Sequence, residues 1–223
     1  MPETAAATRL VRSVSSAYMG LRLRRVARFL GAPEALVRSW HREYREEVPW
    51  DSGPDLELYL LVRGAAPEHA VETGVNRGRS STAILRALAH DGSGRLTSID
   101  LPTHDPAGRT NMDGVIDSAH VPPGATGCEV PEFLRRRWTL ILGDAREELP
   151  RLEHYDFFFH DSDHSYAHQR WEYSVAAYHL TPGGVLASDD VNWTPAFAEL
   201  TRWMGPRLLW TPLSPLRGAV RCP

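Results

Sequence analysis

Ionisable side chains are concentrated in one short stretch of the sequence. The segment HDSDHSYAHQRWEY, residues 160–173, places three histidines and two aspartates in nine positions, directly after the apolar run YDFFF. A second apolar segment, TPGGVLASDD, ends in Asp189 and Asp190. If both segments are strands that pair with each other, their backbones lie about 4.8 Å apart, which brings Asp161 close to the other two carboxylates. Because three carboxylates repel one another, this convergence predicts a hard divalent cation, Mg²⁺ or Ca²⁺, which prefers oxygen ligands.

A purely structural role is the alternative for each of these aspartates. Short acidic side chains commonly cap helix N-termini, and helix-like segments follow both acidic clusters. We assign the capping role to Asp163, which precedes the segment HSYAH, and the cation-binding role to Asp161, Asp189 and Asp190. Asn192 is a candidate further ligand.

A histidine is the leading candidate for a general base. All 25 basic residues are arginine, and the sequence contains no lysine. This excludes any mechanism that needs a neutral lysine amine, because arginine stays protonated in proteins. His164 follows Asp161 by three residues, and an imidazole with a pKa near ~6.5 can accept a proton around neutral pH. We predict that His160 and His168 are structural or solvated.

A glycine-containing loop follows the first predicted strand. In VETGVNRGRSS, residues 71–81, Gly74 and Gly78 allow a tight turn and a close approach of the backbone, and Glu72 can address a ligand. The loop lacks the G-x-G-x-x-G pattern of dinucleotide sites, and alone it is more often a plain strand-to-helix turn. Asp100 ends the next predicted strand, 26 positions after Gly74, where a carboxylate can bind ribose hydroxyls. With Asp144 placed for an adenine amino group, these residues together fit an adenosine without a diphosphate.

Alternating helices and strands must position these residues. From residue 54 onward the pattern predicts helix at DLELYLLVRG, strand at EHAVET, helix at RSSTAILRALAHDG and strand at GRLTSID. It then predicts the strands WTLILGD, YDFFFHD and TPGGVLASDD, separated by the helices AREELPRL and HSYAHQRWEYSVAAYHL. The segments TPAFAELTRWMG, RLLWTPL and RGAVRCP complete the pattern as helix, strand and strand. This order predicts an α/β fold with a doubly wound, mainly parallel sheet, which binds ligands at the carboxyl ends of its strands.

Five motifs in this order resemble those of the class I S-adenosylmethionine-dependent methyltransferases: VETGVNRGRSS, Asp100, GDA, FFFHDSDHSYAH and LTPGGVLASDD. The likeness is closest to the small metal-dependent O-methyltransferases of the catechol, caffeoyl-CoA and antibiotic-sugar types, and it covers residues 55–220. The resemblance implies a Rossmann-like sheet of seven strands whose last strand is antiparallel. It also implies that Mg²⁺ binds at the three aspartates, where it contacts substrate hydroxyls and lowers their pKa.

The resemblance also assigns the cofactor-binding residues. It implies that Glu72, Gly74, Asn76 and Ser80 surround the methionine and ribose portions of S-adenosylmethionine, with Asp100 at the ribose and Asp144 and Ala145 at the adenine. At the position of His164, catechol-type relatives carry lysine, whereas the antibiotic-sugar subgroup is similar to this chain in carrying histidine.

Two further segments flank or interrupt this pattern. Residues 1–53 are predicted to form an N-terminal helical arm, because residues 4–33 contain six arginines, no acidic residue and apolar residues at helical spacing. An arm that packs on the core or on a second subunit is favoured over a transit peptide or a membrane-surface helix. Residues 102–138 are predicted to interrupt the methyltransferase domain, 54–223, as a substrate or lid insertion. In it, Arg135, Arg136 and Arg137 either meet an acidic substrate group or form a solvated helix face.

Composition limits the class of protein further. The net charge of −3 gives no reason to expect a nucleic-acid partner, and no apolar run approaches the ~20 residues that span a bilayer. Two cysteines, Cys128 and Cys222, imply no disulfide framework and fit a reducing cytoplasm.

The sequence therefore predicts a cytoplasmic, Mg²⁺-dependent O-methyltransferase. Its expected acceptor is a hydroxyl of a small molecule, such as a natural-product sugar, a polyketide or a catechol-like compound, and a homo-oligomer is expected through the N-terminal helices. Two alternatives stay open: a non-catalytic scaffold that binds the cofactor, and a related metal-dependent enzyme with a non-methylating reaction.

Overall fold

The computed structural model describes residues 17–49, 54–101, 109–114, 116–117, 124–204 and 217–222. Its central sheet contains six strands, which are β1 (His69–Thr73), β2 (Arg95–Asp100), β5 (Trp138–Leu142), β6 (Tyr155–His160), β7 (Leu180–Ser188) and β8 (Gly218–Arg221). The strand order is β5-β2-β1-β6-β7-β8. All pairings are parallel except that of β8, which runs antiparallel to β7 at one end of the sheet.

Within the described residues, seven α-helices connect and cover these strands. They are α1 (residues 17–30), α2 (Glu34–Glu47), α3 (Pro54–Ala65), α4 (Arg79–Asp91), α5 (Ala145–Glu148), α6 (Tyr166–His179) and α7 (Ala196–Met204). Two 3₁₀ helices cover Glu132–Arg137 and Leu149–Arg151. A separate two-stranded hairpin pairs β3 (Arg109–Thr110) with β4 (Ile116–Asp117).

The expected α/β class with a mainly parallel, doubly wound sheet is confirmed, and so is the antiparallel last strand. The number of strands differs from the expected seven, because the described residues contribute six to the central sheet. The predicted strand RLLWTPL, residues 207–213, lies outside the described residues.

Strand β6 shows why the sheet is central to the molecule. Its Phe157 and Phe159 pack into a core cluster with helices α1 to α4 on one face of the sheet. Phe158, between them, packs into a second cluster with helices α6 and α7 on the other face. Because successive side chains of a strand point to opposite faces, the run FFF is what a strand buried on both faces requires.

The N-terminal helices pack into the same core as the sheet. Leu23, Val26 and Phe29 of α1 and Trp40 of α2 are buried in the first cluster. Whether residues 1–53 form a separate arm, as the sequence predicts, stays a prediction, as does the division at residue 54. Within the described residues, no helix has the length and apolar character to cross a membrane.

Candidate active site

The carboxyl ends of four neighbouring strands form one edge of the sheet. Backbone hydrogen bonds continue the ladder just beyond the strands, from Gly74 N to Ile99 O (2.9 Å), from Asp161 N to Thr73 O (2.9 Å) and from Asp189 N to His160 O (2.9 Å). These bonds place the glycine loop after β1 beside Asp161 after β6, and Asp161 beside Asp189 after β7. Candidate site residues predicted from the sequence, including Gly74, Asp161 and Asp189, therefore lie along this edge.

His164 lies between two of the predicted cation ligands. Its Nε2 is 3.9 Å from Asp161 Oδ1 and 3.7 Å from Asp190 Oδ2. These contacts are longer than hydrogen bonds, and they are ion pairs only when the imidazole is protonated. Asp190 adopts a φ of +45°, a left-handed conformation that non-glycine residues rarely adopt. Such backbone strain is frequent at functional sites.

The surroundings of His164 keep its imidazole neutral. Burial and, secondarily, the neighbouring His160 lower the pKa of His164 to about 4. Its Nε2 is buried and has no hydrogen-bond partner among the described residues. The ring of Trp193 lies 5.2 Å from the imidazole, and that tryptophan is 66% exposed. The site thus pairs an unprotonated nitrogen with an exposed aromatic surface.

One of the three carboxylates at this edge is paired with an arginine. Arg217 Nη2 donates to Asp189 Oδ2 at 3.0 Å, so one of the three carboxylates already has a cationic partner. Within the described part of the chain, no group of three or more His, Cys, Asp or Glu side chains is arranged so that it could hold a metal ion. The three-carboxylate cluster expected from the sequence therefore differs from the structure, because a guanidinium occupies part of it.

The remaining two carboxylates lie in an environment that favours a positive charge. Burial and the charge of Asp189 raise the pKa of Asp161 well above its usual value, and the same causes raise the pKa of Asp190. A nearby cation would oppose both shifts, because it favours the ionised form of a carboxyl group. Carboxylate oxygens are the donors that a hard divalent ion prefers, but the described side chains are not arranged as a metal site.

The glycine loop is shaped by contacts with the protein itself. Gly74 has φ +81°, and a Cβ there would lie 2.0 Å from Asp161 O. Gly78 has φ +95°, and a Cβ there would lie 2.6 Å from Val130 Cγ2. The sequence suggested that these glycines let the backbone approach a ligand, whereas in the structure they let it approach Asp161 and Val130. Gly74 thereby joins the loop directly to the candidate catalytic residues.

Asp100 fixes the conformation of the same loop. Its Oδ2 accepts hydrogen bonds from Val75 N (3.0 Å) and Asn76 N (2.8 Å), and its Oδ1 accepts one from Leu101 N (2.7 Å). Asn76 itself is exposed and has φ +50°. A carboxylate offers about four lone pairs, and these bonds use both of those on Oδ2 and one on Oδ1, so Oδ1 keeps acceptor capacity for one ribose hydroxyl.

The other predicted cofactor residues lie at different depths. Glu72 is fully buried, and its Oε2 accepts from Ser81 Oγ (2.6 Å) and Ser98 Oγ (2.8 Å). Ser80 is also buried, at 5% exposure, in the first turn of α4. Burial raises the pKa of Glu72 to about 7. This carboxyl group therefore supports the loop from below by joining β1 to β2 and α4.

Asp144 lies at the opposite end of the predicted cofactor site. It is the N-cap of α5, where it accepts from Arg146 N at 2.9 Å, and it also forms an ion pair with the Arg146 guanidinium. Ala145 is the first residue of that helix. The predicted adenine contact of Asp144 and Ala145 stays a prediction.

Comparison with protein families identifies the class of the chain. A family model described as a methyltransferase domain matches residues 71–191, which is more than half of the chain. The chain belongs to this methyltransferase family. The match spans the loop at Gly74 and the carboxylates at Asp161, Asp189 and Asp190, so the edge described above lies within the methyltransferase domain. The recognition made from the motifs is confirmed.

Solved structures share the methyltransferase fold at low sequence identity. The calicheamicin methyltransferase CalS11 is 19% identical, with a TM-score of 0.56, and the match covers 90% of this chain and 91% of that one. The O-methyltransferase TomG from Streptomyces achromogenes, solved with SAM, is 17% identical with a TM-score of 0.53, and 83% and 89% are covered. The Podospora anserina methyltransferase PaMTH1, solved with SAH, is 16% identical with a TM-score of 0.52, and 86% and 88% are covered. None of the curated proteins compared with the chain matches it.

A buried polar network beneath this methyltransferase site was missed by the sequence analysis. Glu172 of α6 is fully buried and accepts four hydrogen bonds, from Thr73 Oγ1 (2.8 Å), His160 Nδ1 (2.5 Å), Ser162 Oγ (2.9 Å) and His168 Nε2 (2.9 Å). The structural role expected for the two histidines is thus confirmed. A signal was available, because His168 and Glu172 are four residues apart and therefore share one face of a helix.

The insertion at residues 102–138 contacts the site through its described parts. Asp113 accepts from the backbone N–H groups of Tyr166 (2.7 Å) and Ala167 (3.0 Å) and so caps α6. Asp163, the expected cap, accepts instead from Ser165 N (2.8 Å), just before the helix. Asp113, fifty positions earlier in the chain, therefore shares the capping role with Asp163. No local sequence pattern indicates this contact.

The arginines of the insertion bind the protein itself. Arg135 donates to Val130 O (3.1 Å) and Gly127 O (2.8 Å), and Arg137 donates to Gly94 O (2.9 Å) and Gly92 O (2.7 Å). Arg136 is exposed, and so is Asn192, the candidate further cation ligand. Arg135 and Arg137 thus bind backbone carbonyl groups of the protein, which is neither a contact with an acidic substrate group nor a solvated helix face.

Proposed function

We propose that this methyltransferase transfers a methyl group from S-adenosylmethionine to a hydroxyl group of a small molecule, with Mg²⁺ or another divalent cation as its metal. One observation carries the proposal. The neutral His164 Nε2 lies 3.7 and 3.9 Å from two carboxylates at the edge where Gly74 contacts the Asp161 backbone. A base, an anionic site and a cofactor-type loop thus meet at one place.

The structural neighbours support the choice of reaction. TomG is an O-methyltransferase solved with SAM, and PaMTH1 was solved with SAH. CalS11 is described as a calicheamicin methyltransferase, and TomG as involved in tomaymycin synthesis. These descriptions favour S-adenosylmethionine as the methyl donor, and we propose a natural-product sugar, polyketide or catechol-like acceptor from the sequence motifs.

The residues of the chain have distinct roles in the proposed reaction. Gly74, Asn76 and Asp100 hold the methyl donor beside the site, and His164 Nε2 accepts the proton of the acceptor hydroxyl. As the hydroxyl oxygen forms its bond to the methyl carbon, the carbon–sulfur bond breaks, and S-adenosylhomocysteine and a methyl ether result. A general base of this kind contributes about 10²- to 10⁴-fold in rate.

The carboxylates provide the anionic part of the site. Asp161, Asp189 and Asp190 would hold the divalent cation, which supplies Lewis-acid chemistry by lowering the pKa of an acceptor hydroxyl. Oxygen donors from a vicinal diol or catechol would complete its coordination, since such ions keep positions for substrate or water.

Trp193 supports an acceptor that contains a ring. Its indole is 66% exposed and 5.2 Å from the His164 ring. An exposed aromatic face beside the base can stack on an aromatic ring or pack against the apolar face of a sugar. We therefore propose that the acceptor hydroxyl is attached to a ring.

Cofactor binding is the first test. We expect S-adenosylhomocysteine to bind the full chain in a calorimetric titration, and NAD to show no comparable affinity, because the loop lacks the dinucleotide pattern. Asp100→Ala should weaken S-adenosylhomocysteine binding by about 1.5–3 kcal/mol, the range for a hydrogen bond with a charged partner. Tight binding of NAD with no response to S-adenosylhomocysteine would contradict the proposed donor.

The second test concerns the base. His164→Ala should lower the rate of methyl transfer about 10²- to 10⁴-fold, while calorimetry shows unchanged S-adenosylhomocysteine binding. His154→Ala is the matched control, because His154 is an exposed histidine at the amino end of β6. A His164→Ala enzyme within a few-fold of the wild type would refute the base assignment. Full activity of the wild type after verified removal of divalent ions would refute the proposed role of a divalent cation in the reaction.

A further inference from the structure

The loop that carries Trp193 is fixed on both sides of that residue. Before it, Trp193 N donates to Asp190 O at 3.0 Å, which closes a turn. After it, the hydroxyl group of Thr194 donates a hydrogen bond to Gln169 Oε1 of α6. The backbone on either side of the exposed indole is therefore held in place, and the indole itself lies 5.2 Å from the His164 ring.

Gln169 is a polar residue in the interior of the protein that is only partly hydrogen-bonded. It is 1% exposed, and its Nε2 is buried with no hydrogen-bond partner among the described residues. An unpaired buried amide destabilises a fold, and a leucine, which has a similar size, would avoid that cost. Stability alone therefore does not explain a glutamine at this position, whereas its bond to Thr194 connects it to the loop beside the base.

We propose that Gln169 is a positioning residue, which holds Trp193 beside His164 through Thr194 and thereby sets the preference for an acceptor that contains a ring. The inference rests on the proposed function, because it takes Trp193 as the surface against which the acceptor ring packs. Packing on an aromatic face depends on its distance and angle, and a loop that is already fixed loses little entropy when a ligand binds. Gln169 thus acts on the affinity for the acceptor and does not contact the reacting atoms.

The hydrogen bond can be removed from either side. We would titrate catechol into the full chain without cofactor by isothermal calorimetry, using the wild type, Gln169→Leu, Thr194→Val and Thr194→Ser. Gln169→Leu leaves the bond from Ala196 N to the Thr194 hydroxyl (3.2 Å) in place, and Thr194→Ser keeps the hydroxyl that Thr194→Val removes. Thr181→Val is the matched control, since Thr181 is another half-buried threonine, whose hydroxyl donates to Asp156 Oδ1 (3.0 Å) at the amino ends of β6 and β7.

Loss of this bond should weaken catechol binding without a loss of stability. We expect Gln169→Leu and Thr194→Val to bind catechol about three- to tenfold more weakly, and Thr194→Ser and Thr181→Val to stay within about twofold of the wild type. Gln169→Leu should melt at or above the wild-type temperature, because the unpaired buried amide is gone. The affinity for S-adenosylhomocysteine should be unchanged in all of these variants, because the loop at Gly74 is not altered.

A variant of Trp193 shows whether Gln169 acts through that residue. Trp193→Ala should weaken catechol binding about tenfold, because the packing surface for the ring is lost. The double variant Trp193→Ala/Gln169→Leu should bind catechol no more weakly than Trp193→Ala, since both changes remove the same contact. An independent structural effect of Gln169 would add to the loss instead, and that result overturns the inference.

Each other outcome also decides against the inference. Unchanged catechol affinity in Gln169→Leu overturns it, and so do equal affinities of Thr194→Val and Thr194→Ser or the absence of catechol binding by the wild type. A lower melting temperature of Gln169→Leu overturns it too, because a structural role would then explain the weaker binding. Failure of the proposed function is seen separately, as no S-adenosylhomocysteine binding or no methyl transfer by the wild type, whatever its affinity for catechol.

Discussion

Glu172 places a carboxylate in the interior of the protein, where an unpaired charge would strongly destabilise the fold. It is fully buried, and its four hydrogen bonds reach the last residues of β1 and β6, Thr73 and His160. Burial alone raises a carboxyl pKa, but the charges and hydrogen bonds of His160 and His168 hold the pKa of Glu172 far below its usual value. The ionised form is therefore the one that folding stabilises, and it joins the strand ends that carry Gly74 and Asp161.

This predicts a measurable effect of Glu172→Gln on stability. Because an amide replaces an ionised acceptor of four hydrogen bonds, the free energy of unfolding at neutral pH should fall by about 3 kcal/mol. A carboxyl pKa that is lower in the folded state stabilises above about pH 4.5 and loses this effect as the pH falls. Urea denaturation of the wild type should therefore show stability declining below that pH, and Glu172→Gln should show less of the decline.

An exposed carboxylate provides the control for this variant. Glu153→Gln changes a residue in an exposed loop before β6 and should alter the free energy of unfolding by less than about 0.5 kcal/mol. Equal stability of Glu172→Gln and Glu153→Gln would show that the buried network does not hold the strand ends together.

Gly74 is the point where two elements of the site approach most closely. Strand β1 ends one residue before it, and the backbone of Asp161 after β6 fills the space in which a side chain would lie. The loop of one strand and the carboxylate of the next are therefore locked in register. A residue with a Cβ at position 74 must move one of them.

Replacing Gly74 by alanine should lower the stability of the protein by more than the strain of its positive φ alone explains. Gly92, which caps α4, has a similar φ of +73° but open space within 4 Å. Gly92→Ala should lower the free energy of unfolding by about 1–2 kcal/mol through backbone strain alone. Gly74→Ala should add a further ~1–3 kcal/mol from overpacking, and S-adenosylhomocysteine affinity should fall. Equal losses of stability in chemical denaturation would mean that the loop can yield without disturbing Asp161.

The N-terminal helices are part of the molecule's core and not only an attachment to it. Phe29 of α1 is 2% exposed and packs in the cluster that contains Phe157 and Phe159 of β6. Arg22 of α1 also forms a buried ion pair with Glu57 of α3 at 2.5 Å. Removing these helices would expose apolar surface of the sheet layer itself. The homo-oligomer expected through the same helices stays a prediction.

A core role for α1 predicts a large loss of stability in Phe29→Ala. We expect the free energy of unfolding to decrease by about 3–5 kcal/mol, the usual range for truncating a buried phenylalanine. Leu36→Ala, on the neighbouring helix α2, is the control, because Leu36 is 43% exposed. If both variants unfold at the wild-type urea concentration, α1 contributes little to the core, and a detachable arm becomes the better description.

Local sequence patterns were sufficient to predict the helices and strands of the sheet and the strands that the site residues follow. Alternating helices and strands, the glycine stop of α4 and the apolar run of β6 predicted the doubly wound sheet. Parallel strands leave their carboxyl ends at one edge, so the proximity of His164, Asp161 and Asp190 followed from the positions of those residues alone. Hydrophobic periodicity and strand polarity are local properties of the chain, which is why they can be recognised in a sequence.

Side-chain partners that are distant in the sequence were not predictable. Arg217 meets Asp189 and Asp55, and Asp113 caps α6, only because the fold brings separate segments together. Gly74 and Gly78 lie against the Asp161 backbone and the Val130 side chain, which depends on the spacing between the loop and its neighbours. The sequence by itself determined the methyltransferase domain and which residues follow the carboxyl ends of its strands. The tertiary structure alone decided how the charges at that edge are paired, because electrostatic pairing depends on distances between side chains that no linear spacing contains.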